Sequence, residues 1–241
     1  VENRYQAQRL LKNARILLIG SGLILRELGG SLADSGIGNL RIEERLEPSR
    51  EELAGLIDAQ LDLVLLATPR PAPQRASWIN ELAVATGIRW LPVVLDGRMG
   101  TVGPTVVPLE SACYNCYRGR RLACSDFPKE DRDYEAYLDS SDGGLVSGNS
   151  TSNGEPVSGN STSDEGRAPE EPIVEWAPFT RLVASVACIE VVRLLTRIAP
   201  PATINRVILM DALTGETRGA KVVKLPRCPV CSPSATIPER W

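Results

Sequence analysis

The sequence predicts an α/β fold: a Rossmann-like, mostly parallel sheet with helices on both faces and a C-terminal antiparallel hairpin. Two observations predict the sheet. Short apolar runs alternate with segments of helical periodicity, which is the pattern of successive βα units. The first apolar run is followed by a glycine turn, Gly20-Ser21-Gly22, which would connect a strand to the next helix.

The predicted elements of the first half follow one another with short connections. The strands are the apolar runs 14–19, 40–43, 61–67 and 90–95. The helices are 2–13, 23–35, 50–59 and 74–86. Gly36 and Gly87 directly follow two of these helices, where glycine commonly ends a helix.

The pattern changes after the fourth strand. Residues 99–108 alternate glycine and valine as an antiparallel edge strand would, and residues 176–198 form a long apolar helix that ends before two prolines. We expect Trp176 and most of this helix in the core. Residues 206–210 and 220–225 flank a glycine turn, which predicts the terminal hairpin.

A polar tract divides the chain. Residues 139–172 are rich in glycine and serine and repeat one seven-residue segment almost unchanged. Such a composition buries too little apolar surface to offset its ordering entropy, so we expect a flexible loop. We therefore divide the chain into a first part, 1–138, the loop, and residues 173–241, which complete the same domain.

Composition excludes several classes of function. The chain has 27 basic and 30 acidic residues, with no basic stripe, which argues against a nucleic-acid partner. No apolar run is long enough to span a membrane, and no signal pattern begins the chain, so we expect a cytoplasmic protein. The absence of histidine excludes histidine-based catalytic triads and histidine metal ligands.

Two Cys-x-x-Cys pairs, Cys113/Cys116 and Cys228/Cys231, are the sharpest motif. A two-residue spacer lets one tight turn aim both sulfurs at a single metal ion. Four thiolates fill a tetrahedral shell and leave no open position, so the sequence predicts a structural zinc site. The alternative is two unrelated thiol pairs or a single redox pair.

The other two cysteines lack a partner at ligand spacing. Cys188 lies in the apolar helix and is predicted as a core residue. Cys124 is interpreted as a small, half-buried residue, with a reactive thiol as the alternative.

The glycine turn lies where a nucleotide phosphate would meet a helix N-terminus, which makes Gly20 and Gly22 candidate cofactor-binding residues. Leu25 replaces the third glycine of Gly-x-Gly-x-x-Gly and would crowd the phosphate approach. An acid at the end of the second strand, Glu43 or Glu44, is a candidate partner for a ribose, or simply a surface acid.

Together these residues resemble the ThiF/MoeB-like superfamily of ubiquitin-activating-enzyme folds. The resemblance begins at residues 10–22, continues through 31–40 and includes both cysteine pairs. It implies a ThiF-type fold with structural zinc, in a family that binds ATP and Mg²⁺ and adenylates a peptide or protein C-terminus. Relatives of this fold also pair as homodimers, and the resemblance implies that the long apolar helix could contribute to such an interface.

The sequence departs from the active members of that family. The segment after the third strand, residues 67–73, has no acid, although magnesium needs oxygen ligands there. Arg50 is the nearest counterpart of the phosphate-clamping basic residues and a poor one. With Leu25 in the glycine turn, these departures argue against binding of ATP and Mg²⁺.

A narrower resemblance accounts for the departures. Residues 103–108, Cys113-Tyr114-Asn115-Cys116 and residues 225–231 resemble the ThiF-like partner proteins of YcaO cyclodehydratases, found in thiazole/oxazole-modified microcin and thiopeptide pathways. The resemblance implies a non-catalytic partner that helps present a ribosomal precursor peptide for azoline formation on Cys, Ser or Thr. The leader of the precursor would be held by a winged-helix element that we do not recognise ahead of the first strand. That element would be either a separate leader-binding protein or a part of a longer form of this chain.

Two other functions remain open. One is an ATP-dependent adenylating enzyme acting on a peptide C-terminus, and the other is a zinc-stapled interaction module of unrelated function. A peptide would be expected at residues 97–108 and the polar loop, near the carboxyl edge of the sheet. Tyr114 and Tyr117 are candidate partner contacts, with packing around the zinc as the alternative.

Overall fold

The computed structural model describes residues 4–45, 48–140 and 175–232. Within these ranges the strands are β1 (Arg15–Gly20), β2 (Asn39–Glu44), β3 (Leu63–Thr68), β4 (Arg89–Asp96), β5 (Met99–Val102), β6 (Arg206–Asp211) and β7 (Thr217–Lys221). The helices are α1 (Arg4–Asn13), α2 (Gly22–Asp34), α3 (Arg50–Leu56), α4 (Pro73–Thr86), α5 (Tyr114–Ala123), α6 (Pro128–Asp139) and α7 (Ala177–Thr196).

The strands form one sheet in the order β2-β1-β3-β4-β5-β6-β7. The first four strands pair in parallel, and β5, β6 and β7 add antiparallel pairs. The chain passes from β1 to β2 on one side and then crosses to β3 on the other, so the loops after β1 and β3 diverge. Open α/β sheets commonly bind ligands at such a divergence. The predicted mostly parallel sheet with a terminal hairpin is confirmed.

The central strands of the sheet are buried on both faces. Leu18 packs into a cluster with α2 and α7, whereas its neighbour Leu17 packs into a second cluster with α3, α4 and the cysteine pairs. Strands covered on both faces read as continuous apolar runs, which is why β1 and β3 were recognisable in the sequence. The helix α2 lies close to the sheet at Gly29, where an added Cβ would stand 2.9 Å from Ile42 Cδ1.

Two strand predictions are wrong in position. Residues 99–108 were expected at an edge, but β5 ends at Val102 and lies between β4 and β6. The second neighbour of β5 is β6, which lies about 100 residues later in the chain, so the local sequence around β5 does not predict this pairing. The second hairpin strand is Thr217–Lys221 and not 220–225. All five of its residues are exposed, so this edge strand lacks the apolar alternation on which the prediction depended.

The helix predictions also need correction. The helix predicted over 50–59 ends at Leu56, and the one over 176–198 ends at Thr196. Trp176 was expected in the core but is 50% exposed, because it precedes α7 as its N-cap residue. One stripe of α7 is buried against α2, while apolar residues of the opposite stripe, such as Leu182, are exposed.

The polar tract and the membrane question have separate outcomes. Asp139 is the last residue of α6, and the rest of the predicted flexible loop, from residue 141 onward, lies outside the described residues.

Of the helices in the described ranges, none combines the length and apolar character that crossing a membrane requires.

The helix α6 was missed because its sequence is mostly charged. It is held to α5 by Glu135, which is 3% exposed. The Glu135 carboxylate accepts a 2.7 Å hydrogen bond from Arg118 Nε and forms a second ion pair with Arg121. A buried carboxylate is stable in this position because two guanidinium groups satisfy its oxygens.

We expect Glu135→Ala to lower the free energy of unfolding by about 1–3 kcal/mol, the usual cost of losing charge-assisted hydrogen bonds. The two arginines are partly exposed and stay hydrated after the change, so the cost of an orphaned buried charge is not added. Urea unfolding measures the difference.

Asp133→Ala is the matched control, because Asp133 is an exposed acid on the same helix. Its effect should stay within about 0.5 kcal/mol. Equal losses for the two variants would show that Glu135 contributes no more than a surface acid.

Candidate metal centre and the amino terminus of α2

The structure brings the four predicted ligands together. Cys113 is the N-cap residue of α5, Cys116 lies in its first turn, and Cys228 and Cys231 lie in a turn after β7. The Sγ atoms are 3.8 Å apart within the first pair and 3.5 Å apart for Cys113–Cys228 and Cys116–Cys231. All four sulfurs lie within 4.8 Å of one another and are buried.

This geometry fits one tetrahedral ion. Thiolates bound about 2.3 Å from a tetrahedral zinc stand about 3.8 Å apart, close to the observed separations. The same separations are far longer than a disulfide bond of about 2.05 Å. The cluster could therefore hold a metal ion through four sulfurs, with no position left for water or substrate.

Burial sets the protonation of these thiols in the absence of an ion. It raises the pKa of Cys113 well above its usual value and raises that of Cys231 to about 11. Burial acts in the same direction on Cys228, but backbone N–H groups of Cys231 and Val230 point at its sulfur and lower its pKa. A metal ion that binds here must displace protons, because only thiolates are good ligands.

Neighbouring polar groups orient the cluster. Asn80 of α4 is fully buried, and its Oδ1 accepts hydrogen bonds from Tyr114 N and Trp90 Nε1 at 3.0 and 3.2 Å. Its Nδ2 faces Cys113 and favours the thiolate without closing to a regular hydrogen bond. Leu225 N donates to Cys116 Sγ at 3.3 Å. Asn80 carries no motif, so sequence reasoning missed it.

The remaining cysteines lie outside the cluster. Cys188 is buried in the α2–α7 contact, 3.3 Å from Ser35 Oγ, as the prediction of a core residue required. Cys124 is exposed at the end of α5 and is not the half-buried residue that was expected. Its backbone N–H donates to the carbonyl oxygens of Arg120 and Arg121 and so completes the last turn of α5.

The glycine turn joins β1 to α2 as predicted. Gly20 has φ +151°, and a Cβ on it would stand 1.8 Å from the carbonyl oxygen of Ala67, so only glycine fits. Gly22 has φ +79°. Ser21 is the N-cap residue of α2, but its side chain accepts no capping hydrogen bond.

A glutamate from the second half of the chain takes the capping position instead. Glu175 Oε2 accepts from Leu23 N at 2.6 Å, and Glu175 Oε1 accepts from Ile24 N at 2.9 Å. These are backbone donors of the first turn of α2, where a phosphate would bind. The contact spans 152 residues, so no local sequence signal predicts it.

The other predicted nucleotide-loop residues have different surroundings. Leu25 is 1% exposed and belongs to the core cluster of α2 and α7. Glu43 forms ion pairs with Arg41 and Arg45, while Glu44 lies beside Gly20 in the β1–β2 register. Their placement beside the glycine turn agrees with the ribose hypothesis in position, and the ion pairs of Glu43 agree equally with a surface acid.

Two further sequence expectations concern charged groups. Arg50 begins α3 and pairs with Glu81 of α4 at 2.8 Å, so its guanidinium is engaged away from the glycine turn. The segment that follows β3 presents Pro69 near Gly22, with 3.2 Å between the proline Cγ and a Cβ placed on Gly22. Residues 67–73 contain no carboxylate.

The structure places the residues expected to contact a peptide in two different kinds of surroundings. Tyr114 packs against Trp90 and Tyr117 with tilted rings at centroid distances of 5.7 and 6.0 Å, which supports packing around the cluster over partner contact. Two cavities of about 560 and 650 Å³ open at the amino ends of the strands, and Arg89 lines both. They lie at the end of the sheet opposite to its carboxyl edge, although residues 107–108, at the end of the predicted peptide segment, line the second cavity.

We expect Cys228→Ser to abolish stoichiometric metal binding, because three thiolates and a hydroxyl hold a soft ion much less well than four thiolates. The variant should also unfold at a lower temperature, since a bound ion would tie α5 to the turn at residues 228–231. Elemental analysis and a thermal melt measure the two effects. Cys124→Ser is the control and should keep the wild-type metal content; equal metal content in both variants would contradict a four-sulfur site.

Asn80→Asp tests the group that faces the sulfurs. The carboxylate keeps the acceptor for Tyr114 N and Trp90 Nε1 but places negative charge near the Cys113 thiolate. We expect metal affinity to fall by about 10–100-fold, as for other groups behind a ligand. Competition with a chromogenic chelator measures it, and an unchanged affinity would show that Asn80 has no influence on the ion.

Comparisons with known proteins agree on the fold. Residues 41–230 match the ThiF family. The crystal structure of MccB from E. coli has a TM-score of 0.68 at 16% identity, covering 95% of this chain and 68% of MccB. The microcin C7 biosynthetic enzyme MccB in complex with N-formylated MccA gives a TM-score of 0.67 at 16% identity, covering 95% and 70% of the two chains.

A larger protein shares the same fold. A heterocyclase in complex with substrate and cofactor has a TM-score of 0.60 at 15% identity, and the match covers 95% of this chain but 26% of the heterocyclase. No curated protein matches the sequence significantly. The solved structures establish a common fold, and the family match extends over most of the sequence, including Cys113, Cys116 and Cys228. The chain therefore belongs to the ThiF family.

Proposed function

We propose that this chain is a non-catalytic, cytoplasmic ThiF-like partner of a YcaO-type cyclodehydratase. It would help present a ribosomal precursor peptide for azoline formation on Cys, Ser or Thr residues in the biosynthesis of a thiopeptide, a bacteriocin or a related product. Ring formation and ATP use would belong to the cyclodehydratase. The four-cysteine cluster would hold a structural zinc ion.

The observation that carries the proposal is the carboxyl end of β3. Thr68 ends the strand, and the following segment reaches the first turn of α2 with Pro69 and no carboxylate. An adenylating enzyme must neutralise the charge of a triphosphate, and magnesium is held for that purpose by oxygen ligands. The segment next to the glycine turn offers none from an acidic side chain.

The metal cluster supports a structural role for the ion. Four sulfurs surround one position, and the residues that form it are among the most buried of the second core cluster. Catalytic zinc sites keep one position for water or substrate, whereas closed four-thiolate sites stabilise the fold. Zinc is the metal that best suits such a sulfur set in a protein without histidine.

The structural neighbours favour both proposed activities to different degrees. The heterocyclase relates this fold to ring-forming machinery, in which a ThiF-like part is a quarter of the matched chain. MccB has been solved with ATP, which favours the alternative of an adenylating enzyme acting on a peptide C-terminus. The acid-free segment 67–73 is what favours the partner role for this chain.

The proposed partners are a YcaO-type protein, the precursor peptide or a separate leader-binding protein, and a second copy of the chain. The exposed side of α7 supports a homodimer, because Leu182 and Ile189 are each more than half exposed and lie about two turns apart on that helix. The slightly acidic chain, with a net charge of −3, offers no support for a nucleic-acid partner.

Reconstitution tests the proposal. The purified chain is mixed with a YcaO protein from the same genome, a precursor peptide and Mg·ATP, and mass spectrometry follows the loss of one water per ring. We expect rings to form faster with the chain than without it, and the chain to co-purify with the cyclodehydratase or the precursor. Cys228→Ser should lose this effect, while the exposed Cys124→Ser should keep it.

Two results would contradict the proposal. One is the absence of any affinity for both the cyclodehydratase and the precursor. The other is peptide-dependent exchange of pyrophosphate into ATP by the chain alone, which would establish the adenylating enzyme.

A further inference from the structure

We propose that the amino terminus of α2 is an anion site that the chain fills with its own Glu175, so that the position a nucleotide phosphate would take is blocked. The contact is an internal plug. It concerns the loop of this chain alone and does not depend on which partner the chain serves.

The first step of the argument is the chemistry of the donors. The first N–H groups of a helix have no partner within the helix and carry its positive dipole end, so they attract an anion. In α2 the N–H groups of Leu23 and Ile24 both point at the Glu175 carboxylate, at 2.6 and 2.9 Å. One oxygen serves each donor, which is the two-pronged arrangement that a phosphate would adopt.

The second step is that the usual cap is not used. Ser21 is a good N-cap residue by type, yet its side chain makes no capping hydrogen bond. The contrast with α3 is direct: there Ser49 accepts from Glu52 N, as local capping predicts. The donors of α2 are therefore satisfied by a residue from the other half of the chain, which gives the contact a role in joining the two halves.

The third step is steric. An added Cβ on Gly22 would stand 2.6 Å from Glu175 Oε2 and 3.2 Å from Pro69 Cγ. The carboxylate and the proline ring therefore both lie directly over the Gly22 backbone, which is the space that a phosphate needs. Because Gly22 has no side chain, the Glu175 carboxylate fits at the position where a glycine turn of this kind would bind a phosphate.

The fourth step is the position in the fold. The plug lies between the loops that follow β1 and β3, at the divergence of the parallel strands. This is the site at which an open α/β sheet would otherwise bind its ligand. A negative group held there repels a nucleotide as well as excluding it by volume.

Inorganic phosphate is the appropriate probe, because it is small enough to replace a carboxylate on the same two donors. The melting temperature of three proteins is followed as phosphate is raised at constant ionic strength. Wild type should show no phosphate-specific rise. Glu175→Ala should melt about 2–4 °C lower without phosphate, and phosphate should bind to it about tenfold or more tightly than to wild type.

Glu27→Ala is the matched control. Glu27 is also an acid at the α2–α7 contact, paired with Arg181 at 3.0 Å, but it does not touch the first turn of α2. The Glu27→Ala variant loses the same charge from the same interface, and we expect it to gain no phosphate binding. Equal phosphate affinity in Glu175→Ala and wild type, or an equal gain in Glu27→Ala, would overturn the proposal.

Hydrogen exchange gives a second readout for the case in which Glu175→Ala does not fold. The amides of Leu23 and Ile24 should exchange slowly in wild type, and about tenfold faster in the isosteric Glu175→Gln, which lacks the charge and presents an NH₂ group to one donor. Unchanged exchange at these two amides would overturn the proposal. Neither experiment uses a cyclodehydratase, so their failure leaves the proposed partnership untouched.

Discussion

The four-cysteine cluster is the constraint on which one whole face of the protein depends. It joins residues 115 positions apart in the chain, Cys113 to Cys228 and Cys116 to Cys231. It also lies inside the second core cluster, with Trp90 and α4 packed beside it. Residues 113–116 and 228–231 are thus both fixed against α4. Asn80 of α4 links the cluster to the sheet, because its Oδ1 accepts hydrogen bonds from Tyr114 N at the start of α5 and from the Trp90 indole of β4.

The other face depends on a different long-range connection. The helix α7 packs on α2, and Glu175, just before α7, caps the start of α2. The buried Glu190 then holds the segment before β6 through Thr203 N and Oγ1. Two carboxylates from the second half of the chain therefore accept from backbone donors, Glu175 at the start of α2 and Glu190 before β6. Polar contacts as well as the apolar stripe of α7 thus fix the position of this helix.

Local patterns predicted what local physics determines. The strands β1 and β3 were recognisable because burial on both faces demands continuous apolar residues, and the metal ligands because one turn spaces two sulfurs. The strand β7 was displaced in the prediction because an exposed edge strand needs no apolar alternation. The helix α6 was missed because its sequence is mostly charged and a buried acid, Glu135, anchors it through ion pairs with Arg118 and Arg121. Glu175 was unpredictable because its two partners lie about 150 residues away.

The acid-free segment after β3 and the Glu175 carboxylate at the start of α2 fit one physical account under the proposed partner role. On that proposal, a triphosphate at the amino terminus of α2 would find no carboxylate for magnesium in the segment after β3. Without a bound phosphate, however, the amides of Leu23 and Ile24 would lack an acceptor close to a buried interface, which costs about 1–3 kcal/mol for each group that is shielded from water. A carboxylate from the chain removes that cost and leaves a smaller charge to solvate than a triphosphate would. If the chain works without ATP, as proposed, Glu175 stabilises it by filling the phosphate position, and the open backbone of the glycine turn accommodates the carboxylate.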